Sequence, residues 1–429
     1  MNDASPGALA SFEEQALAFG RDVYSGHGKI EILPKVEART LADMAVAYTP
    51  GVGHVVRRLL AHPEELSQQT TKDNMVALVS DGTAVLGFGN VGPRAGMPVM
   101  EGKAVMFKAL AGIDCMPLCL DVRSAEQFCD VVAALEPSFG GINMEDVAAP
   151  HCFRILRELD ERLSIPVIHD DQYGTATVAL GGLIKGLELT GRKPADIRVV
   201  VNGVGAAGSA TIYMLEALGV GDIVAVDRAG ILRAGDDLAH AHWREIAARS
   251  NRSRLSGGLA DALEGADVFI GLSVGGIVDE KMIRSMARDP IVFALANPEP
   301  EIAPDRARAA GAAIAASGRF DFPNHCNNVL AFPGLMRGAL DTKSKSVSIG
   351  MCLAASHMLA KLGRNDTGHI LPSPLDPLTH AGVAEAAATA AVAEGLARVS
   401  VNPGDVREHT LALTKQVAER QTSLPGLLK

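Results

Sequence analysis

The residues best equipped for chemistry in this chain are two acidic pairs, Glu145-Asp146 in "GGINMEDVAAP" and Asp170-Asp171 in "IPVIHDDQYGTA". Adjacent carboxylates repel, and they resist ionising together unless a cation or several donors sit close by. One reading makes each pair a helix cap, with Asp170 opening the apolar run "TATVALGGLI". The other sets the pairs to work together. About 25 residues separate them, and the segment between reads as a helix near 150–163 and a short strand near 165–169. A unit of that size can return the second pair beside the first. Three or four carboxylate oxygens would then surround a hard divalent cation such as Mg2+ or Mn2+, whose charge keeps neighbouring acids ionised. Both readings stand on this pattern alone. Cys152 and His169 fit a ligand spacing poorly and are expected in the core.

A second signal lies in "IRVVVNGVGAAGSATIYMLEALGV", where Gly203, Gly205 and Gly208 keep G-x-G-x-x-G spacing around Val204, Ala206 and Ala207. Such glycines allow a tight turn and a close backbone approach to a pyrophosphate, and the following helix presents its N-terminus. "DIVAVD" then ends a second strand at Asp227. An acid there bonds a ribose 2′-hydroxyl and repels a 2′-phosphate. That favours NAD, while the adjacent Arg228 keeps NADP possible.

The elements that must position these groups fall into two halves. Residues 1–165 mix short strand-like runs ("MVALVS", "MPLCLDV") with helical stretches such as "AEQFCDVVAALE". The segment 80–114 holds seven glycines and is expected to be loops. From about residue 190, strands "IRVVV", "DIVAV", "DVFIGL" and "IVFALA" alternate with helical segments, as in a doubly wound sheet. The last hundred or so residues are Ala-rich and read as a closing helical layer. The fold expected is therefore α/β: an N-terminal α/β catalytic domain over 1–165, then a Rossmann-type dinucleotide-binding domain over 166–429 with C-terminal helices.

Composition narrows the function. A chain of 429 residues with 48% hydrophobic residues can bury large cores, and a net charge of −10 argues against nucleic-acid or anionic-membrane partners. None of the six cysteines forms a C-x-x-C pair, which fits reduced thiols in the cytoplasm. The N-terminus lacks the apolar core of a signal peptide. The longest uncharged run, between Arg198 and Glu216, falls short of the roughly 20 apolar residues a membrane span needs. A soluble protein is expected.

Several long segments resemble the malic enzymes, in particular their shorter bacterial branch: "AYTPGV", "DGTAVLGFGNVG", "PVMEGKAVMFKALAGID", "EPSFGGINMEDVAAPHCF", "IPVIHDDQYGTA", "FALANPEPEI" and "FPNHCNNVLAFPGLMRGAL". The resemblance implies oxidative decarboxylation of (S)-malate to pyruvate and CO2, with a divalent metal, NAD or NADP, and a homodimer or higher homo-oligomer. By the same resemblance Tyr48 is the acid that protonates the enolate carbon, and Lys103 is the base that takes the malate hydroxyl proton. Glu145, Asp146 and Asp171 are metal ligands, with Asp170 an acid beside them. Asn297 meets nicotinamide and substrate, and Asn328 meets substrate. A basic lysine near neutral pH needs a lowered pKa, which a nearby cation and burial would supply.

Departures from the family pattern bear on substrate choice. Ala84 stands where large-form relatives grip a malate carboxylate with arginine, so that carboxylate must be held otherwise. Tyr173 replaces a usual histidine, and His325-Cys326 replace glutamine and a small apolar residue. Two further readings fit the same motifs: a metal-dependent dehydrogenase of a related 2-hydroxy acid such as tartrate, and a dinucleotide-binding regulatory protein that has lost catalysis.

Overall fold

Runs of Val, Ile and Leu that are apolar on both faces belong in parallel sheets covered on both sides, and that is where they lie in the computed structural model, which describes Glu14 and residues 28–423. The first sheet has strands β1 (Met75–Ser80), β2 (Asp114–Cys119), β3 (Gly141–Met144) and β4 (Val167–His169), all parallel, in the order β2-β1-β3-β4. The second has β5 (Arg198–Asn202), β6 (Asp222–Asp227), β7 (Gly230–Ile231), β8 (Val268–Gly271), β9 (Ile291–Ala294) and β10 (Ile314–Ser317). Its order is β10-β9-β8-β5-β6-β7, parallel except for β7. The sheet reverses direction at β5, where such folds open a crevice for ligands.

The long helices are α1 (Leu41–Ala47), α2 (Gly51–Ala61), α3 (Gly92–Ala111), α4 (Ala125–Ala134), α5 (His151–Arg162), α6 (Thr175–Thr190), α7 (Ala206–Leu218) and α8 (Ala241–Arg249). The C-terminal layer adds α9 (Phe332–Asp341), α10 (Ile349–Leu362), α11 (Pro377–Ala393) and α12 (Pro403–Ser423). Helix α6 is the centre of the molecule. It is buried without interruption from Ala176 to Leu187, as expected of a helix that is apolar all round. One hydrophobic cluster joins Val76, Phe107 and Ile168 of the first half to Val199, Ile270 and Phe293 of the second through Leu180 and Leu183 of α6.

Three expectations need correction or extension. The glycine-rich segment is loop only as far as Val91, because Gly92–Ala111 forms a 20-residue helix that carries Pro98 within it. Strand β10 was not foreseen, since "IAAS" is too small and short to declare itself. The first sheet also runs on past residue 165, because β4 pairs with β3. No described helix is long and apolar enough to cross a membrane.

The N-terminal arm differs from the rest. Helices α1 and α2 bury no residue, and Ile32, Leu33, Val36, Leu41, Val46 and Leu60 stand exposed.

Candidate active site

Strand register brings the two acidic pairs together. Met144 of β3 pairs with His169 of β4, so Glu145-Asp146 and Asp170-Asp171 leave neighbouring strands at the same level. The Asp146 N–H donates to Asp171 Oδ2 at 2.8 Å, and Asp146 adopts a φ of 54°, unusual for a non-glycine residue. The helix-cap reading gives way here. Asp170–Gly174 makes a wide turn into α6 in which neither aspartate caps the helix. A Cβ on Gly174 would sit 1.7 Å from Asp170 Oδ1, so the glycine of "DDQYG" is what leaves room for that carboxylate.

Lys103 reaches in from α3. Its ammonium contacts both Glu145 Oε1 and Asp170 Oδ2 and lies 4.5 Å above the Phe332 ring. The Asn328 amide donates to Asp170 Oδ2 at 2.6 Å, and the Asn143 amide donates to Glu145 Oε2 at 3.0 Å. Burial opposes the charge on Lys103, but Asp170, Glu145 and Asp171 outweigh it and raise its pKa above the ordinary lysine value. The expected lowering is that of a lysine beside a bound cation; the three acids by themselves hold the ammonium charged.

The acids themselves are strained electrostatically. Burial and then the Asp171 charge lift Asp146 to about 7. Burial also raises Glu145, with Asp171 and Asp170 adding to the effect against the pull of Lys103. Burial would raise Asp171 too, but His169, with Nε2 3.0 Å from Oδ2, holds it below its usual value. His169 is thus buried as expected, and it is also a partner of the cluster.

Glu145, Asp146 and Asp171 each present a ligand atom, all within 4.8 Å of one another. Asp146 Oδ2 is buried without a hydrogen-bond partner. An all-oxygen donor set with an orphaned carboxylate oxygen suits a hard divalent cation. These residues line a cavity of about 460 Å³ together with Ala84, Lys103, Ala206, Ala207, Ser273, Asn297, Cys326, Asn327 and Asn328.

A larger cavity of about 1010 Å³ adjoins it, and Ala149 and Ser273 line both. Gly203, Val204, Gly205, Asp227 and Arg228 form its wall. Gly203 has a φ of 99°, and a Cβ on Gly208 would sit 1.8 Å from the Gly203 oxygen, so both glycines are required by the turn. Nothing stands within 4 Å of the Cβ position at Gly205, which faces open space ahead of α7. That is the room a pyrophosphate needs at a helix N-terminus. Asp227 accepts the N–H groups of Val204 and Arg228, each at 2.7 Å, which leaves half of its acceptor capacity free. Trp243, the chain's one tryptophan, donates to the Val204 oxygen at 3.2 Å.

Tyr48 is the exception among the expected site residues. It is 70% exposed at the end of α1 and does not line the cavity that holds Lys103.

Residues 27–128 match the malic enzyme N-terminal domain, and residues 172–394 match the malic enzyme NAD-binding domain. The chain belongs to the malic enzyme family. It is 45% identical over 412 residues to the bifunctional malic/malolactic enzyme of Bacillus subtilis, covering 94% of this chain and 99% of that one. It is 46% identical over 374 residues to an NAD-dependent malic enzyme of Geobacillus stearothermophilus, covering 86% and 78%. The crystal structure of a malic enzyme from Pyrococcus horikoshii superposes with a TM-score of 0.92 at 41% identity, covering 95% of this chain and 97% of that one.

Within this malic enzyme, several contributors escaped the motif reading. Asn143 is a buried amide in the short strand "GINM", and Thr83 accepts the Ala148 N–H at 2.9 Å to anchor the loop after Glu145-Asp146. A polar residue inside an apolar strand was the available signal for Asn143. Thr83 gave none, because its partner lies 65 positions away.

Proposed function

We propose that this malic enzyme converts (S)-malate to pyruvate and CO2, with Lys103 as base, Tyr48 as acid, and Asn297 and Asn328 on the substrate. The observation that carries the reading is the placement of Lys103 inside a carboxylate cluster that lines the smaller of two adjoining cavities. A divalent ion, Mg2+ or Mn2+, held by Glu145, Asp146 and Asp171 supplies positive charge that offsets these acids and acidifies the malate hydroxyl. NAD, or NADP, in the larger cavity supplies the hydride acceptor.

Lys103 takes the C2 hydroxyl proton as hydride leaves C2. Asp170, itself held by Asn328, keeps the lysine nitrogen aimed into the cavity. As the C3–C4 bond breaks and CO2 leaves, the electron pair moves onto the C2 oxygen, where Lys103 is placed to return the proton before Tyr48 protonates C3. Ala84 leaves no arginine on this wall, and the amides of Asn297 and Asn328 are among the donors that line the cavity for the substrate carboxylate.

The acid role of Tyr48 requires a second copy of the chain. The exposed apolar residues around it, Leu41, Val46 and Leu60 among them, form a face that a homodimer covers, and the arm then delivers Tyr48 to its neighbour's cavity. The absence of a membrane-crossing helix among the described residues, the charge of −10 and the unpaired cysteines support a cytoplasmic enzyme. Initial rates with malate and tartrate, with NAD against NADP and with Mg2+ against Mn2+, test the reading. Metal-dependent NAD(P)H and pyruvate formation from malate supports it. Turnover of tartrate alone, or cofactor binding without turnover, overturns it.

A further inference from the structure

One buried acid outside the metal cluster ties together the strand ends that carry the wall between the cavities. Glu301 is 0% exposed. Its Oε1 accepts the Ser273 N–H at 2.9 Å and, at longer range, the Ser273 hydroxyl at 3.4 Å, while Oε2 accepts the Ala296 N–H at 3.1 Å. Ser273 lies just beyond β8, and its hydroxyl oxygen also accepts the amide of Asn202 at the end of β5, at 2.7 Å. Ala296 lies just beyond β9 and precedes Asn297. Backbone bonds from Gly276 to the Pro300 oxygen and from Val278 to the Glu301 oxygen, both 3.0 Å, run the two loops alongside each other.

The sequence makes space for this acid. A Cβ on Gly271, the last residue of β8, would stand 2.4 Å from the Glu301 carboxyl carbon. A buried carboxylate without a cationic partner is costly unless donors surround it. Here the donors belong to two loops that would otherwise be joined only by backbone. Ser273 lines both cavities, and Ala296 and Asn297 line the smaller one.

We infer that Glu301 is a positioning residue for hydride transfer, setting the distance between the dinucleotide cavity and the substrate cavity. The inference rests on the malate-oxidising reading. A glutamine at 301 has one acceptor and one donor end, so whichever way it turns, one of the two N–H groups faces a donor. One loop is released. Glu301 touches neither the acidic cluster nor Lys103 in any described hydrogen bond, so the metal-side chemistry is left in place.

The test compares wild type with E301Q and with G271A, which crowds the carboxylate without altering it. Malate oxidation should fall by between about tenfold and a hundredfold in both variants, the scale expected for a misplacement near 1 Å. Mn2+-dependent CO2 release from oxaloacetate, which requires no hydride, should stay at the wild-type rate. Quenching of Trp243 fluorescence by NADH should keep its wild-type midpoint. Loss of both activities together in both variants overturns the inference, as does full malate oxidation in either. A wild-type protein that decarboxylates oxaloacetate but does not oxidise malate overturns the functional reading instead.

Discussion

Met144 and His169 are register partners on neighbouring parallel strands, and this single pairing places four carboxylates at one sheet edge. The acids repel one another, so a divalent ion should be worth more to this protein than to one with a solvated site. Chelation should abolish turnover, and Mn2+ at a hundred times its dissociation constant should stabilise the fold by about 2.7 kcal/mol. D171N should weaken binding by tenfold or more. Calorimetric titration and thermal unfolding with and without Mn2+ measure both.

Lys103 is the counter-charge for Glu145 and Asp170. K103A should leave two buried acids without a cation and cost roughly 3–5 kcal/mol in metal-free protein. Added Mn2+ should recover part of that loss. Malate turnover should vanish while NADH still quenches Trp243, because the tryptophan reports on the glycine turn and not on the acids. Urea unfolding with and without metal, beside a fluorescence titration, checks the pair of effects.

Asp227 has spare acceptor capacity toward a ribose hydroxyl and would repel a 2′-phosphate. D227S should shift the ratio of kcat/KM values toward NADP by at least about tenfold, equal to roughly 1.4 kcal/mol. Arg228, on the same cavity wall, supplies the cation that accepts the phosphate. R228A in the D227S background should remove the gain.

His380 gives the fold a pH dependence of its own. Burial on α11 holds its pKa down to about 4 from an ordinary 6.5, opposed only partly by the Pro374 oxygen and Asp376. Between those values the unfolded chain binds the proton and the folded chain does not. Stability should therefore fall as pH drops from 6.5 towards 4, by about 3 kcal/mol from this group. H380Q should flatten that part of the curve, as read by urea unfolding at stepped pH.

The exposed arm predicts self-association. L41D and L60D should shift the sedimentation coefficient toward monomer and lower malate turnover together. Mixing inactive Y48F with inactive K103A should restore activity, since a mixed dimer contains one site with both intact groups.

The dinucleotide half was legible in the sequence because its signals are local: strand, glycine turn, helix, second strand and acid follow one another within residues 197–227. For the acidic pairs the spacing alone left cap and ligand readings open, and only the resemblance to the family pointed to ligands. The Met144–His169 register brings the two pairs to neighbouring strand ends, which the spacing could not show. The lysine's surroundings were not legible, because the three acids that face it are drawn from two strand ends. Glycines misled in one place, where α3 runs through Gly96 and Gly102 with packing that overrides their weak helix propensity. Glu301 and Thr83 were out of reach, because their partners are distant in sequence or are backbone groups that carry no residue signature.

Helix α6 joins both sheets through one continuous interior. The two halves expected to meet near residue 165 therefore share part of their apolar core. Neither half can melt while the other keeps its apolar surface covered, so a scanning calorimeter should record one endotherm for the whole chain. A protease nicking the connection near residue 193 would have to wait for global unfolding before it could separate the pieces.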